Sequence, residues 1–297
     1  MPAGSSFDNL PGPIRAALWM SLSALGYAAS ATLVRYLSNT LPVFELAFLR
    51  NLFGLAFMLP WLMRVGLGAL KTSRPGRHTV RGIISTLNMW CLFGALALAP
   101  VADVSAITFL MPIVASILAV VFLKERSSAR QWAASCVAFG GALLVIRPGL
   151  EGFNEGLLLA LGAVVAGSTV ATLIKTLLDT DSPDTIATYL FLSHIVFGII
   201  PALLVWVTPS LWETALLVLL GFLAALVQRS FNRAMLATDA TIALPFNFSR
   251  LIWAALFGWL VFTEVPDVWT WVGGTLIFVC SVYIARITTH AKAGEGE

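Results

Sequence analysis

"ASILAVVFLKER" (Ala115–Arg126) and "AALFGWLVFTEV" (Ala254–Val265) are apolar runs that each close on a glutamate, Glu125 and Glu264, 139 positions apart. Sliding the chain by that interval also lays Ala95 on Ala234, Trp132 on Trp271 and Arg147 on Arg286. Near the start of each half, "ATLVR" (Ala31–Arg35) meets "ATLIK" (Ala171–Lys175) at an offset of 140. Glu, Trp and Arg keep one order in one register, which is the mark of an internal repeat.

Outward from these runs, composition fixes the solvent. Of 297 residues, 59% are hydrophobic and 11% charged, and the mean hydropathy is +0.89. About a quarter of the residues in a soluble domain are charged, and less than half that amount does not cover a water-facing surface. A chain dissolved in lipid needs no such cover, so the sequence reads as an all-α integral membrane protein. Its partners are then the lipid bilayer and a small-molecule substrate. The formal charge of +3 comes from short basic clusters between apolar runs, which make no nucleic-acid groove. Cys91, Cys136 and Cys280 lie inside apolar runs without CxxC spacing, so neither a disulfide framework nor a metal site is expected. No cofactor motif is present either.

A spanning helix takes about 20 mostly apolar residues. Polar and Pro/Gly punctuation divides the chain into ten such runs, at 14–37, 42–64, 79–98, 102–123, 130–147, 155–178, 184–207, 212–236, 241–262 and 268–288. The first mimics a signal peptide in its basic start and its "AASA", but reads as a spanning helix. Lys and Arg set the orientation. With the N-terminus inside, Arg64, Lys71, Arg74, Arg77 and Arg81 fall in one cytoplasmic loop, and Lys124, Arg126 and Arg130 in the next. Both termini are then cytoplasmic.

Five spans per half is an odd number, so the second half crosses the membrane in the opposite sense. The expected organisation is a cytoplasmic segment 1–13, a first five-helix repeat 14–147, a second, inverted five-helix repeat 148–288, and a cytoplasmic tail 289–297. Inverted repeats are the architecture with which many secondary transporters alternate access around a midplane site.

Three segments carry a family resemblance: "FELAFLRN" (Phe44–Asn51), Pro100–Glu125, and "PFNFSRLIWAALFGWLVFTEVPD" (Pro245–Asp267). Together they resemble the drug/metabolite transporter superfamily, EamA type, over nearly the whole chain. Within it the chain is similar to a bacterial branch that includes amino-acid exporters of the aromatic-amino-acid type, and whose other members move S-adenosylmethionine or riboflavin. The resemblance implies a bacterial inner-membrane protein. It also implies a ten-helix basket in which helices 1–4 and 6–9 surround a cavity, with helices 5 and 10 to one side.

Ionisable groups inside spans default to functional hypotheses. Arg250, about nine residues into the ninth span, is the clearest, with Asn247, Phe246 and Trp253 near it. A guanidinium grips a carboxylate bidentately and the rings hold an apolar side chain. The alternative is that Arg250 pairs within the bundle. Gln228 and Asn232 share a face of the eighth span, as cargo contacts or as interhelical hydrogen bonds. Asn88 and Thr108 add polar groups on the third and fourth spans. Pro112 and Pro245 break helices 4 and 9, as gating hinges or static bends. His194 serves either as a proton carrier or as a packed hydrogen-bonding residue. Arg50 and Asp103 are expected at the mouth.

Small residues on the fifth and tenth spans, among them Ala138, Ala142 and Gly274, permit either a homodimer contact or internal packing in a monomer. Glu125 and Glu264 read as structural elbows that face the amides of the following helix. The lack of HExxH and GxSxG argues against an intramembrane enzyme, and without a Walker A loop energy does not come from an ATPase in this chain. A carrier exporting amino acids by alternating access remains, beside a carrier of another metabolite or a drug-like amphiphile, and a passive channel.

Overall fold

A computed structural model describes residues 11–111, 113–114, 117–118, 129–146, 154–177, 180–237, 246–247 and 249–294. In chain order the helices are α1 (Gly12–Leu37), α2 (Val43–Val65), α3 (Pro75–Leu98), α4 (Val101–Thr108), α5 (Ala129–Ile146), α6 (Glu155–Leu177), α7 (Pro183–Leu204), α8 (Leu211–Ala237), α9 (Ser249–Phe262) and α10 (Val268–Gly294). A 3-10 turn, Leu67–Leu70, links α2 to α3. Six helices are long and apolar enough to cross a bilayer, namely α1, α2, α3, α6, α7 and α8, and shorter apolar segments lie in α5, α9 and α10. Leu204, Ile200, Leu203 and Leu260 are exposed, each by 61% or more. Such an apolar exterior suits acyl chains rather than water, and the protein is a multi-pass membrane protein.

Local chemistry explains the boundaries. Prolines open α1, α3 and α7, where a missing N–H costs nothing. Ser182 caps α7 by accepting from the Thr185 amide at 3.1 Å. Gly66, at φ 83°, ends α2 in a conformation other residues rarely adopt. Two boundaries differ from expectation. Helix α10 runs on to Gly294, past 288. Instead of one continuous helix over 102–123, α4 gives way at Phe109 and Leu110 to a tighter turn, whose amides bond three residues back, to Ala106 and Ile107.

The packing repeats when every helix is advanced by five. Helix α1 packs on α8 as α6 packs on α3, α2 on α8 as α7 on α3, and α1 on α9 as α6 on α4. The pairs α2–α7, α4–α9 and α5–α10 map onto themselves. The two repeats are thus interdigitated rather than set side by side. Helices α5 and α10 meet backbone to backbone, since a Cβ placed on Gly273 would stand 2.5 Å from the Gly141 carbonyl oxygen. Ala138 and Ala142 are buried in the same core, so these small residues serve packing within the chain.

Each end of the bundle is tied by polar contacts. At one end Arg35 donates to the Ala99 carbonyl and to Glu264, Thr40 donates to Glu213 at 2.5 Å, and the Val207 amide donates to Glu45 at 3.0 Å. At the other, His78 Nε2 lies 2.9 Å from Asp181 Oδ2, Thr72 donates to the same oxygen at 2.8 Å, and the Tyr189 hydroxyl donates to Leu70 O. The connections that meet at each end are those that alternate crossings require.

Candidate functional site

The break in α4 builds the site. With Thr108 the last residue of that helix, its hydroxyl turns back to donate to Ser105 O at 2.7 Å. The same hydroxyl accepts from Arg250 Nη2 at 2.9 Å, and Ser105 O takes a second, longer contact from that nitrogen at 3.4 Å. The guanidinium carbon of Arg250 lies 4.6 Å from the Tyr27 ring centroid and 4.4 Å from that of Phe109. Arg250 is 8% exposed, and its Nε is buried without a hydrogen-bond partner. Among the described residues no carboxylate lies within ion-pair distance of it. A buried cation held by rings and neutral oxygens alone is poorly compensated, and it offers a carboxylate a charge-assisted grip.

Tyr27 also borders a small central cavity of about 80 Å³, together with Ser30 and Val34 of α1, Arg50 of α2, Asn88 and Phe93 of α3, and Val227 of α8. Small-molecule pockets enclose roughly 300–1,000 Å³, so cargo enters only if helices separate. Asn88 lines this cavity and donates to the Ala163 carbonyl of α6 at 2.5 Å. A larger recess of about 300 Å³ lies at the Arg35 end, bordered by Asp103, Gly258, Glu264, Asp267 and Thr270. Its acidic groups are engaged: Glu264 with Arg35, and Asp103 with Thr270 at 2.6 Å. It resembles a vestibule more than a binding site.

The structure brings together only part of the residue set expected from sequence. Thr108 and Arg250 touch, and Asn88 sits on the adjoining cavity. Arg250 stands in the first turn of the described α9, not in the middle of an unbroken helix, and Asn247 and Phe246 precede it in a 3-10 turn. Phe246 is 40% exposed, and Trp253 packs against the main hydrophobic core. His194 is buried between two partners: Nδ1 donates to Asn51 Oδ1 at 3.1 Å, and Nε2 lies 3.0 Å from the Ser85 hydroxyl. Gln228 is half-buried and already engaged. Pro112, Pro245 and Glu125 lie outside the described residues, as does the side chain of Asn232.

Three placements depart from the sequence reading. Arg50, expected at the mouth, lines the central cavity. Glu264, expected to face the amides of α10, instead takes Arg35 of α1 as its partner. Thr263 directs it there: at φ 58° it turns the chain sharply, while its amide bonds Trp259 O at 2.9 Å and the Glu264 amide reaches back to Gly258 O at 3.2 Å. Tyr27 was missed altogether, although a tyrosine with a polar handle inside an apolar run is a legible signal.

Comparison with known proteins agrees with this architecture. The profile of the EamA-like transporter family matches residues 14–147 and again 154–286. The chain is 31% identical to the S-adenosylmethionine uptake transporter of Rickettsia bellii, over 90% of this chain and 91% of that protein. It is 30% identical to the riboflavin transporter of Vibrio cholerae, covering 95% and 97%, and 29% identical to the pseudopaline exporter CntI of Pseudomonas aeruginosa, covering 89% and 94%. A solved crystal structure shares the fold at 18% identity with a TM-score of 0.61, covering 94% of this chain and 96% of that one. Two interlocked repeats, each matching the same family profile, place the chain in the EamA-like transporter family, as a membrane transporter and not an enzyme.

Proposed function

We propose that this protein is a secondary carrier of small carboxylate-bearing metabolites, amino acids first among them, working by alternating access in a bacterial inner membrane. The proposal includes ten spans in two inverted repeats, 14–147 and 148–288, with both termini cytoplasmic. The observation that carries it is Arg250, buried against Tyr27, Phe109 and Thr108 with no carboxylate partner among the described residues. A carrier with a narrow central cavity and tied ends must open one end at a time to load.

S-adenosylmethionine is the second reading, favoured by the Rickettsia relatives. It bears an α-amino carboxylate, so the same guanidinium would hold it. Riboflavin has no carboxylate and would have to bind through its ring system. The relatives are named for both uptake and export, and export of amino acids is our reading for this chain. The test is a proteoliposome panel of the standard amino acids, S-adenosylmethionine and riboflavin, scored for saturation and counterflow. Saturable, counterflowing carboxylates support the carrier. Linear flux without counterflow would indicate a channel, and riboflavin as sole cargo would remove Arg250 from the explanation.

A further inference from the structure

The central cavity is lined by another arginine, Arg50. Among the described residues Arg50 Nη1 has neutral partners, Asn51 Oδ1 at 3.2 Å and the Met89 thioether at 4.0 Å. Asn51 is itself pinned, with its amide nitrogen donating to Ala47 O at 2.6 Å and its oxygen shared with His194. Arg50 is thus aimed by a fixed neighbour. Among the described residues it too lacks a carboxylate within ion-pair distance, whereas Arg35 and His78 each have one. Tyr27 joins the two arginines, since its ring packs on Arg250 and it borders the same cavity as Arg50.

One guanidinium that does not lose its proton therefore lines this small cavity, and a second packs on the ring of Tyr27 in the cavity wall. His194 supplies no negative charge in either protonation state. The missing charge has to arrive with the cargo. A zwitterionic amino acid brings one carboxylate and an added cation, so one guanidinium stays without an anion, whereas a second acidic group gives each guanidinium a carboxylate and reduces the excess charge.

We infer that Arg50 is a second anion-binding group and that the preferred cargo is a net-anionic metabolite with two acidic groups, one for each guanidinium. This inference rests on the carrier reading of Arg250 and narrows its substrate class.

The test uses the full-length protein with L-glutamate and L-glutamine, which differ by one negative charge at nearly constant size. Binding is read by competition against radiolabelled glutamate in detergent and by thermal shift. Glutamate is expected to bind at least about tenfold tighter than glutamine, as loss of one desolvated charge pair predicts. Arg50→Gln should bring that ratio close to one, and Arg50→Lys should restore it, a recovery that a purely structural role would not produce.

If wild type binds both probes equally, or if Arg50→Gln leaves the ratio intact, the second-anion site is overturned while the carrier reading stands. If wild type binds neither probe but does bind a neutral amino acid through Arg250, the inference likewise fails alone. If no carboxylate of any kind binds, both fail together. Should Arg50→Gln unfold, the ratio measured in Asn51→Ser, which loosens the aim of Arg50, decides the matter: a lowered ratio supports the inference and an unchanged one overturns it.

Discussion

The ends of the bundle and its middle treat charge in opposite ways. At the ends, Arg35 meets Glu264 and His78 meets Asp181, each pair spanning helices from different halves. In the middle, Arg250 and Arg50 rest on hydroxyl, carbonyl, amide, thioether and ring atoms, with no opposite charge within reach among the described residues. Breaking a charged pair exposes the uncompensated partner, so end charges belong to architecture. A cation left incomplete inside the membrane has a cost that a ligand can offset, so in the proposed function the central charges serve transport.

The largest expected effect tests the middle. Arg250→Ala should reduce saturable flux by about 100-fold or more, as loss of a desolvated charged contact implies, with normal expression and a monodisperse profile. Flux unchanged in reconstituted protein would place Arg250 among the structural charges and dissolve the contrast.

At the His78 end the effect should fall on stability. Burial alone would raise the Asp181 pKa, but hydrogen bonds from His78 and Thr72, with the charges of His78 and Arg74, outweigh it and hold the carboxyl below its usual value. A carboxyl depressed by folding stabilises fully above its unfolded value, and the benefit disappears as pH falls through the lowered one. Asp181→Asn should therefore cost about 1–3 kcal/mol near neutrality and flatten the acid limb of the melting profile. A mutant as acid-sensitive as wild type would mean that the latch does not govern that limb.

A smaller effect is expected at the opposite end. Glu264→Gln and Arg35→Gln, alone and together, should show coupling of about 1 kcal/mol, because the pair is partly solvated. Additive losses would show that the contact is incidental. Thr263→Gly relieves a positive φ and should raise stability by about 1 kcal/mol, unless the hydroxyl contact to Phe262 O matters more.

The smallest effect is at His194. Gln can keep one of its two hydrogen bonds, so His194→Gln should cost about 1 kcal/mol and leave the pH profile of transport in place. A lost pH dependence would return His194 to the transport machinery and add a third central group to the comparison.

The sequence carried much of the fold because span length and the 139-residue echo are one-dimensional signals. Eight of the ten expected runs correspond closely to described helices; the fourth is interrupted where α4 tightens at Phe109, and the ninth is described as an α-helix from Ser249. The site was less legible, because its members come from α1, α2, α3, α4 and α9, and no spacing rule connects Tyr27 to Arg250. Of the residues chosen for their nearness to Arg250, Phe246 falls in the 3-10 turn before α9 and Trp253 packs against the main hydrophobic core. Arg50 was visible as a charge in a span, yet its depth could not be read without knowing which face of α2 turns inward.

The interlocking of the halves has a consequence for synthesis. Helix α1 finds its main neighbours in α8 and α9, which leave the ribosome some two hundred residues later. At roughly 5–20 residues per second, α1 waits roughly 10–40 seconds before the surface of α8 that buries it exists. During that interval the cavity beside Arg50 lacks the wall that Val227 of α8 provides. Insertion and assembly are therefore separate events for this chain.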